Sequence, residues 1–381
     1  MLTFKFSFFS YRSIILFYKS KSIMENGKKS KGSLSRRKFL GSTATVAAFS
    51  MMPINIFGKN SPAIKDIPGT TPDSNFGGVQ MGTITYSWRD KPGGVENIIK
   101  YCTETGISSV ELMSNDVEEF LGAPKNPMMG MFGPPPAPPK APAGTPPVAP
   151  PPLQQRPELT AEQKAQIAKY SEEMKAWRLA LPMSKFEDVR KMFENAGIKI
   201  HIIKFSPAKW SDDEIDYAFK AAKILGAKGV TEELGMEAVK KLAPFAEKHG
   251  VYAIFHNHMQ FATPGFSYDP FLAVSPAVMF NFDSGHFFGS TGIHPNSILE
   301  KYHDRIVSIH MKDKTGPKTD PANTNQVWGQ GEAPIEDILL LIKKNGWPIF
   351  CDIELEYDVK PWSDSVKEVK TCVHFARQIL M

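Results

Sequence analysis

Side chains that can bind a cation or transfer a proton stand at the ends of four short apolar runs in the sequence. Runs of this length and composition are typical of buried strands. Parallel α/β folds place their chemistry at the carboxyl-terminal edge of the sheet, so these groups are expected to meet at one site. The groups are His256 and His258 after the run 252–255, Asp283 and His286 after 280–282, His310 and Lys312 after 306–309, and Glu354 after 347–353.

The two-residue period of a β-strand decides which of these side chains share a face. His256 and His258 differ by two positions, so both point to the same side, and His310 and Lys312 are related in the same way. Several imidazoles and carboxylates in one cavity compete or repel one another unless a cation gathers them. We therefore predict one divalent metal ion, Mn²⁺, Co²⁺, Zn²⁺ or Mg²⁺, with mixed nitrogen and oxygen ligands.

Each of these residues, taken singly, also has a purely structural interpretation. His256 alone would be a buried histidine with satisfied hydrogen bonds, and Glu354 would be a carboxylate paired with Lys312. The convergence of ligand-type residues from four separate strand ends favours the metal site over these interpretations.

The elements that must position these groups alternate between strands and helices. Eight predicted strands, the first beginning at Val79, are each followed by a helix or a helix-like segment. Such alternation predicts a parallel sheet, and eight units over residues 79–381 fit a (β/α)8 TIM barrel. An open doubly wound sheet is the alternative, but the glycine-rich phosphate loop that it usually carries does not follow the first strand.

Residues 122–181 interrupt this pattern after the second strand. The stretch 122–157 holds 14 of the chain's 31 prolines, so an extended polyproline conformation is expected there. A helix then opens at Thr160 with a capping box to Gln163, and its apolar stripe favours packing on the body of the protein. Because loops after barrel strands lie on the catalytic face, we expect this Pro-rich and helical insertion to sit over the mouth of the barrel.

The first 60 residues have the composition of an export signal. Residues 1–60 hold eleven Lys and Arg and one Glu, a balance of +10, which leaves −5 for the remainder of the +5 chain. Arg36 and Arg37 precede an uncharged stretch over 41–57, which indicates a twin-arginine signal peptide followed by a linker over 61–78. We predict export by the twin-arginine machinery to the periplasm or another extracytoplasmic compartment. The acidic remainder argues against nucleic acid as a partner.

The motifs at these strand ends resemble those of the xylose isomerase-like barrel superfamily, and within it the sugar phosphate isomerase/epimerase group. The resemblance covers the chain from about Val79 to the C-terminus, apart from the Pro-rich insertion. It rests on Asp283-Ser284-Gly285-His286, His310-Met311-Lys312-Asp313, Gly329-Gln330-Gly331-Glu332 and Ile353-Glu354.

The resemblance implies a divalent metal held by Glu, Asp, His and Glu from successive strand ends. Asp283, His310 and Glu354 match the last three positions. His256 stands where many members carry Glu, and His258 is the reserve candidate for this first ligand.

The resemblance also implies residues that contact the substrate. His286 matches a histidine that faces the substrate, and Lys312 and Trp328 are expected at the mouth of the barrel. Glu111 and His201, which lie in two of the earlier predicted strands, are further candidates for substrate binding.

A metal-dependent isomerase or epimerase that acts on a small carbohydrate through an enediolate is the function that the resemblance implies. The metal would polarise a carbonyl while Glu354 draws the neighbouring proton, and His256 or His258 would act on the opposite side. The same groups would serve a lyase or hydrolase acting on 3-keto-glycosides, an alternative that export favours. A carbohydrate-binding relic of the barrel is the non-enzymatic alternative.

Overall fold

The computed structural model describes residues 71–127 and 159–381. The predicted signal peptide over 1–60, most of the predicted linker and most of the Pro-rich stretch lie outside the described residues, so these predictions stay predictions. Within the described ranges, no helix is both long and apolar enough to cross a membrane.

In the part of the chain that the structure describes, eight parallel strands close into a barrel, which confirms the predicted TIM barrel. The strands are β1 (Asn75–Phe76), β2 (Val79–Ile84), β3 (Ser109–Met113), β4 (Lys199–Lys204), β5 (Gly229–Glu233), β6 (Tyr252–His256), β7 (Val278–Asp283), β8 (Ile306–Met311), β9 (Asp313–Lys314), β10 (Asn325–Gln326) and β11 (Phe350–Ile353). Each barrel strand from β2 to β8 pairs with the next, β11 pairs with β8, and β11 closes the barrel against β2. β1 extends β2, and β9 and β10 form a separate hairpin.

Helices cover the outside of the barrel and bury their apolar faces against the strands. They are α1 (Val95–Thr105), α2 (Ser114–Phe120), α3 (Ala161–Ala180), α4 (Ser184–Asn195), α5 (Asp212–Leu225), α6 (Met236–His249), α7 (Asp269–Leu272), α8 (Ser284–Thr291), α9 (Asn296–Tyr302), α10 (Ile335–Asn345) and α11 (Ser365–Leu380). The predicted capping box is present at the start of α3, where Gln163 N donates to Thr160 Oγ1 at 3.1 Å and Thr160 N to Gln163 Oε1 at 2.9 Å.

The segment after β7 forms a helix that the sequence pattern did not predict. Oδ1 of Asp283 accepts the backbone N–H of His286 at 2.7 Å and thereby caps α8. Ser284 and Gly285 are poor helix formers, which hides this helix in the sequence. The Asp-Ser-Gly-His motif therefore ends a strand and starts a helix within four residues.

The interior of the barrel is divided into an apolar and a polar part. Ile202, Ile254, Val307 and Phe350 form a buried cluster that is separate from the core under the helices. Polar residues fill the remainder of the interior towards the carboxyl-terminal ends of the strands, and many of them are fully buried. The apolar cluster therefore closes one end of the barrel, and the predicted site lies at the other.

The C-terminal part of the insertion is held on the body by a buried arginine. α3 packs against α5, and Arg178 lies 2.8 Å from Glu118 and 3.0 Å from Glu214 through its Nε and Nη1 atoms. Its guanidinium also stacks on Trp210 at 3.6 Å. These contacts fix α3 to the body as expected, while the Pro-rich part that would form a lid lies outside the described residues.

Replacing Arg178 by methionine should destabilise the protein strongly. The substitution keeps an apolar side chain but leaves Glu118 and Glu214 buried without their cation, which costs about 3 kcal/mol or more. Urea unfolding measures this loss. Arg190→Met is the matched control, because Arg190 is exposed and pairs with Glu194 one helical turn away. Equal losses for the two variants would show that the buried pairs do not anchor α3.

Candidate functional site

Four neighbouring barrel strands bring the predicted metal ligands together. β6 ends at His256, β7 ends at Asp283, β8 carries His310, and Glu354 follows β11 directly. All four side chains are buried. Ligand atoms of His256, Asp283 and His310 lie within 4.8 Å of one another, and Nδ1 of His310 lies 2.7 Å from Oε2 of Glu354.

These side chains present polar atoms whose hydrogen bonding is incomplete. Within the described residues, His256 Nδ1, Asp283 Oδ2, His310 Nδ1 and Glu354 Oε2 make no hydrogen bond of good geometry, although three of them have ion contacts. Buried polar atoms normally make such a bond. Nitrogen and oxygen atoms that are buried and close together, and that make no hydrogen bond of good geometry, form a donor set of the kind that divalent metals prefer. The residues present therefore fit the metal ion predicted from the sequence.

Lys312 lies among the carboxylates of the site. Its Nζ is 2.8 Å from both Asp283 Oδ2 and Glu354 Oε2, at angles outside hydrogen-bond geometry, and it donates a 2.7 Å hydrogen bond to Glu356. Burial raises the pKa of Asp283 and of Glu354, but the Lys312 ammonium and the neighbouring histidines together outweigh burial and hold both pKa values below their usual range. Lys312 and these histidines therefore keep the two carboxylates ionised inside the barrel.

Glu111 orients His310 and does not face the site directly. Its fully buried carboxylate lies 2.6 Å from Nε2 of His310 and accepts hydrogen bonds from Thr231 Oγ1 at 2.9 Å and Asn281 Nδ2 at 2.8 Å. With Nε2 engaged, Nδ1 is the nitrogen of His310 left for a metal, an arrangement common among metal-binding histidines. The oxygens of Glu111 are occupied and buried, so the structure places it behind His310 and leaves no free oxygen for the predicted substrate contact.

His201, the other predicted substrate-binding residue from an early strand, is enclosed in the same way. His201 is fully buried, with Nδ1 2.9 Å from Ser109 Oγ and Nε2 2.8 Å from Asp352 Oδ2, and its ring stacks on Phe350. Neither ring nitrogen is available to a ligand. His201 belongs to the polar layer that supports the site from below.

Trp328 is not brought to the site either. Its ring is buried and packs edge-on against Phe375 of α11 at 5.9 Å between ring centroids. The loop that carries Trp328 is tied down by the carboxylate of Asp313, which accepts the backbone N–H groups of Gly329 and Gly331 at 2.8 and 2.9 Å. The Gly-Gln-Gly-Glu motif thus has a structural role, because a side chain at Gly331 would meet Asp313.

His258 and His286 lie above the buried ligands, towards the mouth of the barrel. The ring of His258 lies 4.9 Å from that of His256 and 5.0 Å from that of His286, measured between centroids. Nε2 of His286 is 3.4 Å from Lys312 Nζ, and His286 is mostly buried whereas His258 is half exposed. Both histidines can therefore contact a molecule that enters the mouth.

Glu233, at the end of β5, is a site residue that the sequence reasoning missed. Its Oε2 lies 2.7 Å from Nε2 of His258 and its Oε1 lies 2.8 Å from Lys204. The hydrogen bond that His258 donates to Glu233 raises the pKa of His258. Burial raises the pKa of Glu233, but His258 and Lys204 outweigh burial and bring it to about 2. The signal was present, since a carboxylate at a strand end is the pattern that identified Glu354.

The position of Glu233 gives the site two sides. β5 and β11 are the fourth and eighth strands of the closed barrel and therefore lie opposite each other. Glu233 accordingly faces Glu354 across the mouth, and the strands between them carry His256, Asp283 and His310. His258 lies on the side of Glu233, because its ring is hydrogen-bonded to that carboxylate. Such an arrangement can remove a proton on one side of a bound molecule and deliver one on the other.

Comparison with known proteins places this site in a family. The profile of the xylose isomerase-like TIM barrel family matches residues 170–373, whereas no curated protein matches the chain. Similar solved structures include a xylose isomerase domain protein from Alicyclobacillus acidocaldarius, at 13% identity over 79% of this chain and 98% of that one, with a TM-score of 0.51. A sugar phosphate isomerase/epimerase from Parabacteroides distasonis is 18% identical over 83% of this chain and 100% of that one, with a TM-score of 0.49. A D-psicose 3-epimerase is 11% identical over 79% of this chain and 99% of that one, with a TM-score of 0.47. At these identities the likeness concerns the fold alone. The profile match covers more than half of the chain, so the protein belongs to the xylose isomerase-like TIM barrel family.

Proposed function

We propose that the protein is a divalent-metal-dependent enzyme that isomerises or epimerises a small carbohydrate through an enediolate. The observation that carries the proposal is the placement of Glu354 opposite the Glu233–His258 pair, around a cluster that fits a metal ion. A divalent ion held by His256, Asp283, His310 and Glu354 supplies Lewis acidity toward a carbonyl oxygen. Membership of the family supports chemistry on sugars.

Glu354 is the group best placed to take a proton from carbon. Its carboxylate is kept ionised by Lys312 and His310, which lie 2.8 and 2.7 Å from Oε2. An ionised carboxylate within hydrogen-bond reach of a bound sugar can accept its proton as a general base. Lys312 remains beside it and stabilises negative charge that develops on the substrate.

His258 is the group best placed to donate a proton on the other side. Glu233 engages Nε2, so Nδ1 is the ring nitrogen that remains for the substrate. The ring is half exposed at the mouth and reaches a ligand without rearrangement of the barrel. His286, between His258 and Lys312, would contact substrate oxygens.

A lyase or hydrolase acting on 3-keto-glycosides is the second candidate, and one observation favours it. The side of the mouth opposite Glu354 offers the imidazole of His258, with Glu233 engaged behind it, where symmetric epimerisation uses a second carboxylate. An imidazole suits protonation of a departing oxygen in β-elimination. Product analysis separates the candidates, since elimination releases the aglycone whereas isomerisation and epimerisation keep every atom of the sugar.

Replacing Glu354 by glutamine should abolish proton transfer more than binding. The amide keeps the size of the side chain but is not a base, so kcat should fall by about 100-fold or more while substrate affinity changes much less. Exchange of the substrate's α-proton with deuterated water, followed by NMR, measures this step for free sugars and 3-keto-glycosides alike. Glu300→Gln, on the exposed face of α9, is the control. Full exchange activity in E354Q would exclude Glu354 as the base.

We further propose that the protein works outside the cytoplasm. The support is the sequence alone, in which Arg36 and Arg37 precede the uncharged stretch 41–57. Replacing both arginines by lysine should abolish export through the twin-arginine route, and cell fractionation measures it. An unchanged yield of the double variant outside the cytoplasm would contradict this proposal.

A further inference from the structure

Lys314 is a buried lysine for which the fold provides no partner. Only 3% of the residue is exposed, yet within residues 71–127 and 159–381 its Nζ makes no hydrogen bond and no ion pair. Lysines are almost never buried unless they are paired. Lys312, which is equally buried and two positions earlier, contacts three carboxylates. The described residues therefore give the ammonium of Lys314 no counter-ion, and its Nζ is not among their fully buried atoms, so a small molecule can reach it.

The position of Lys314 places this cation beside the candidate site. Lys314 ends β9 and pairs with Asn325 of β10. Its side chain runs along α8, and its Cε lies 3.0 Å from the position that a Cβ atom at Gly289 would occupy. His286 lies one turn earlier on the same helix. Burial and Lys312 lower the pKa of Lys314, and Asp283 and Glu356 partly offset them, so the charges of the site act on this lysine.

Two unsatisfied amide oxygens accompany Lys314. Oδ1 of Asn323 and Oδ1 of Asn325 are buried and have no hydrogen-bond partner among the described residues. Oδ1 of Asn323 lies 2.2 Å from the position that a Cβ atom at Gly289 would occupy, and Lys314 Cε lies 3.0 Å from that position. The amide oxygen is therefore a close neighbour of the lysine side chain. Asn323 also holds the left-handed backbone conformation, with φ of 51°, which is uncommon for residues other than glycine. One cation and two acceptors thus line the hairpin side of the mouth.

We propose that Lys314, Asn323 and Asn325 form a subsite for an anionic group of the substrate, the carboxylate of an acidic sugar or a phosphate ester. An anion pairs with the buried ammonium, and the amide oxygens accept hydrogen bonds from neighbouring hydroxyl groups. The inference rests on the proposed function in one respect, because a sugar held at Glu354 is what brings its acidic group to the hairpin. It narrows the substrate class from small carbohydrates to acidic ones.

Binding of simple anions to the full-length protein tests the subsite without turnover. The probes are inorganic phosphate and D-glucuronate, with D-glucose as the neutral comparison, and calorimetry measures their affinities. At least one anion should bind more tightly than glucose, and Lys314→Gln should weaken it by about 10- to 100-fold. Lys314→Arg, which keeps the charge, and Lys318→Gln, an exposed lysine of the same loop, should retain the affinity. The anion that binds identifies the carboxylate or the phosphate as the ligand.

Two results would overturn the subsite. One is that neither anion binds the wild-type protein; the other is that Lys314→Gln binds both anions as tightly as the wild type. Exchange of the substrate's α-proton, measured on the same protein, tests the proposed function independently of the subsite. A protein that exchanges sugar protons but shows no Lys314-dependent anion binding keeps the function and loses the subsite. A protein that binds anions through Lys314 but exchanges no proton keeps the subsite and loses the function.

Discussion

The ion contacts of Lys312 are the constraint on which the site depends. Asp283, Glu354 and Glu356 are gathered around its Nζ at 2.7 to 2.8 Å inside a barrel that excludes most water. Without a cation, carboxylates so close together would repel one another and take up protons. The fold makes room for this lysine at Gly285, where even a methyl group would lie within 2.1 Å of its Cγ. One ammonium does not balance three carboxylates, which is why a further cation fits the cluster.

The polar layer under the site fixes the orientation of the imidazole rings in the centre of the barrel. Glu111 engages one nitrogen of His310, and Asp352 engages one nitrogen of His201, so both imidazoles are held by carboxylates in the centre of the barrel. Gly82 provides space for Asp352, because a side chain there would meet Oδ1 at 2.1 Å. A buried polar network destabilises the fold unless its hydrogen bonds are made, and when they are made they hold each ring in one orientation. The side chains at the mouth can then meet a substrate with little rearrangement.

Local patterns in the sequence predict the barrel and the meeting of His256, Asp283, His310 and Glu354 inside it, because strand period and glycine at helix ends are local signals. Asp283 and His310 were identified by their place at strand ends. The surroundings of Glu111, His201 and Trp328 could not be predicted, since nothing local reveals that their polar atoms or rings are engaged by distant residues. The place of Glu233 at a strand end is a local signal, but its pairing with His258, 25 residues away, is not. Lys314 was missed because burial without a partner exists only in the folded chain. Long-range pairing is what the sequence alone does not display.

The most direct test of the account is to find the metal. Anomalous diffraction from crystals of the protein purified with Mn²⁺ or Co²⁺ locates such an ion independently of any assay. One strong peak is expected, with His256, Asp283, His310 and Glu354 at about 2.0–2.3 Å from it, and with Lys312 displaced from at least one of its carboxylates. The absence of a peak, with Lys312 still in contact with Asp283 and Glu354, would contradict the metal site, because the ammonium would then be the only cation that these carboxylates require.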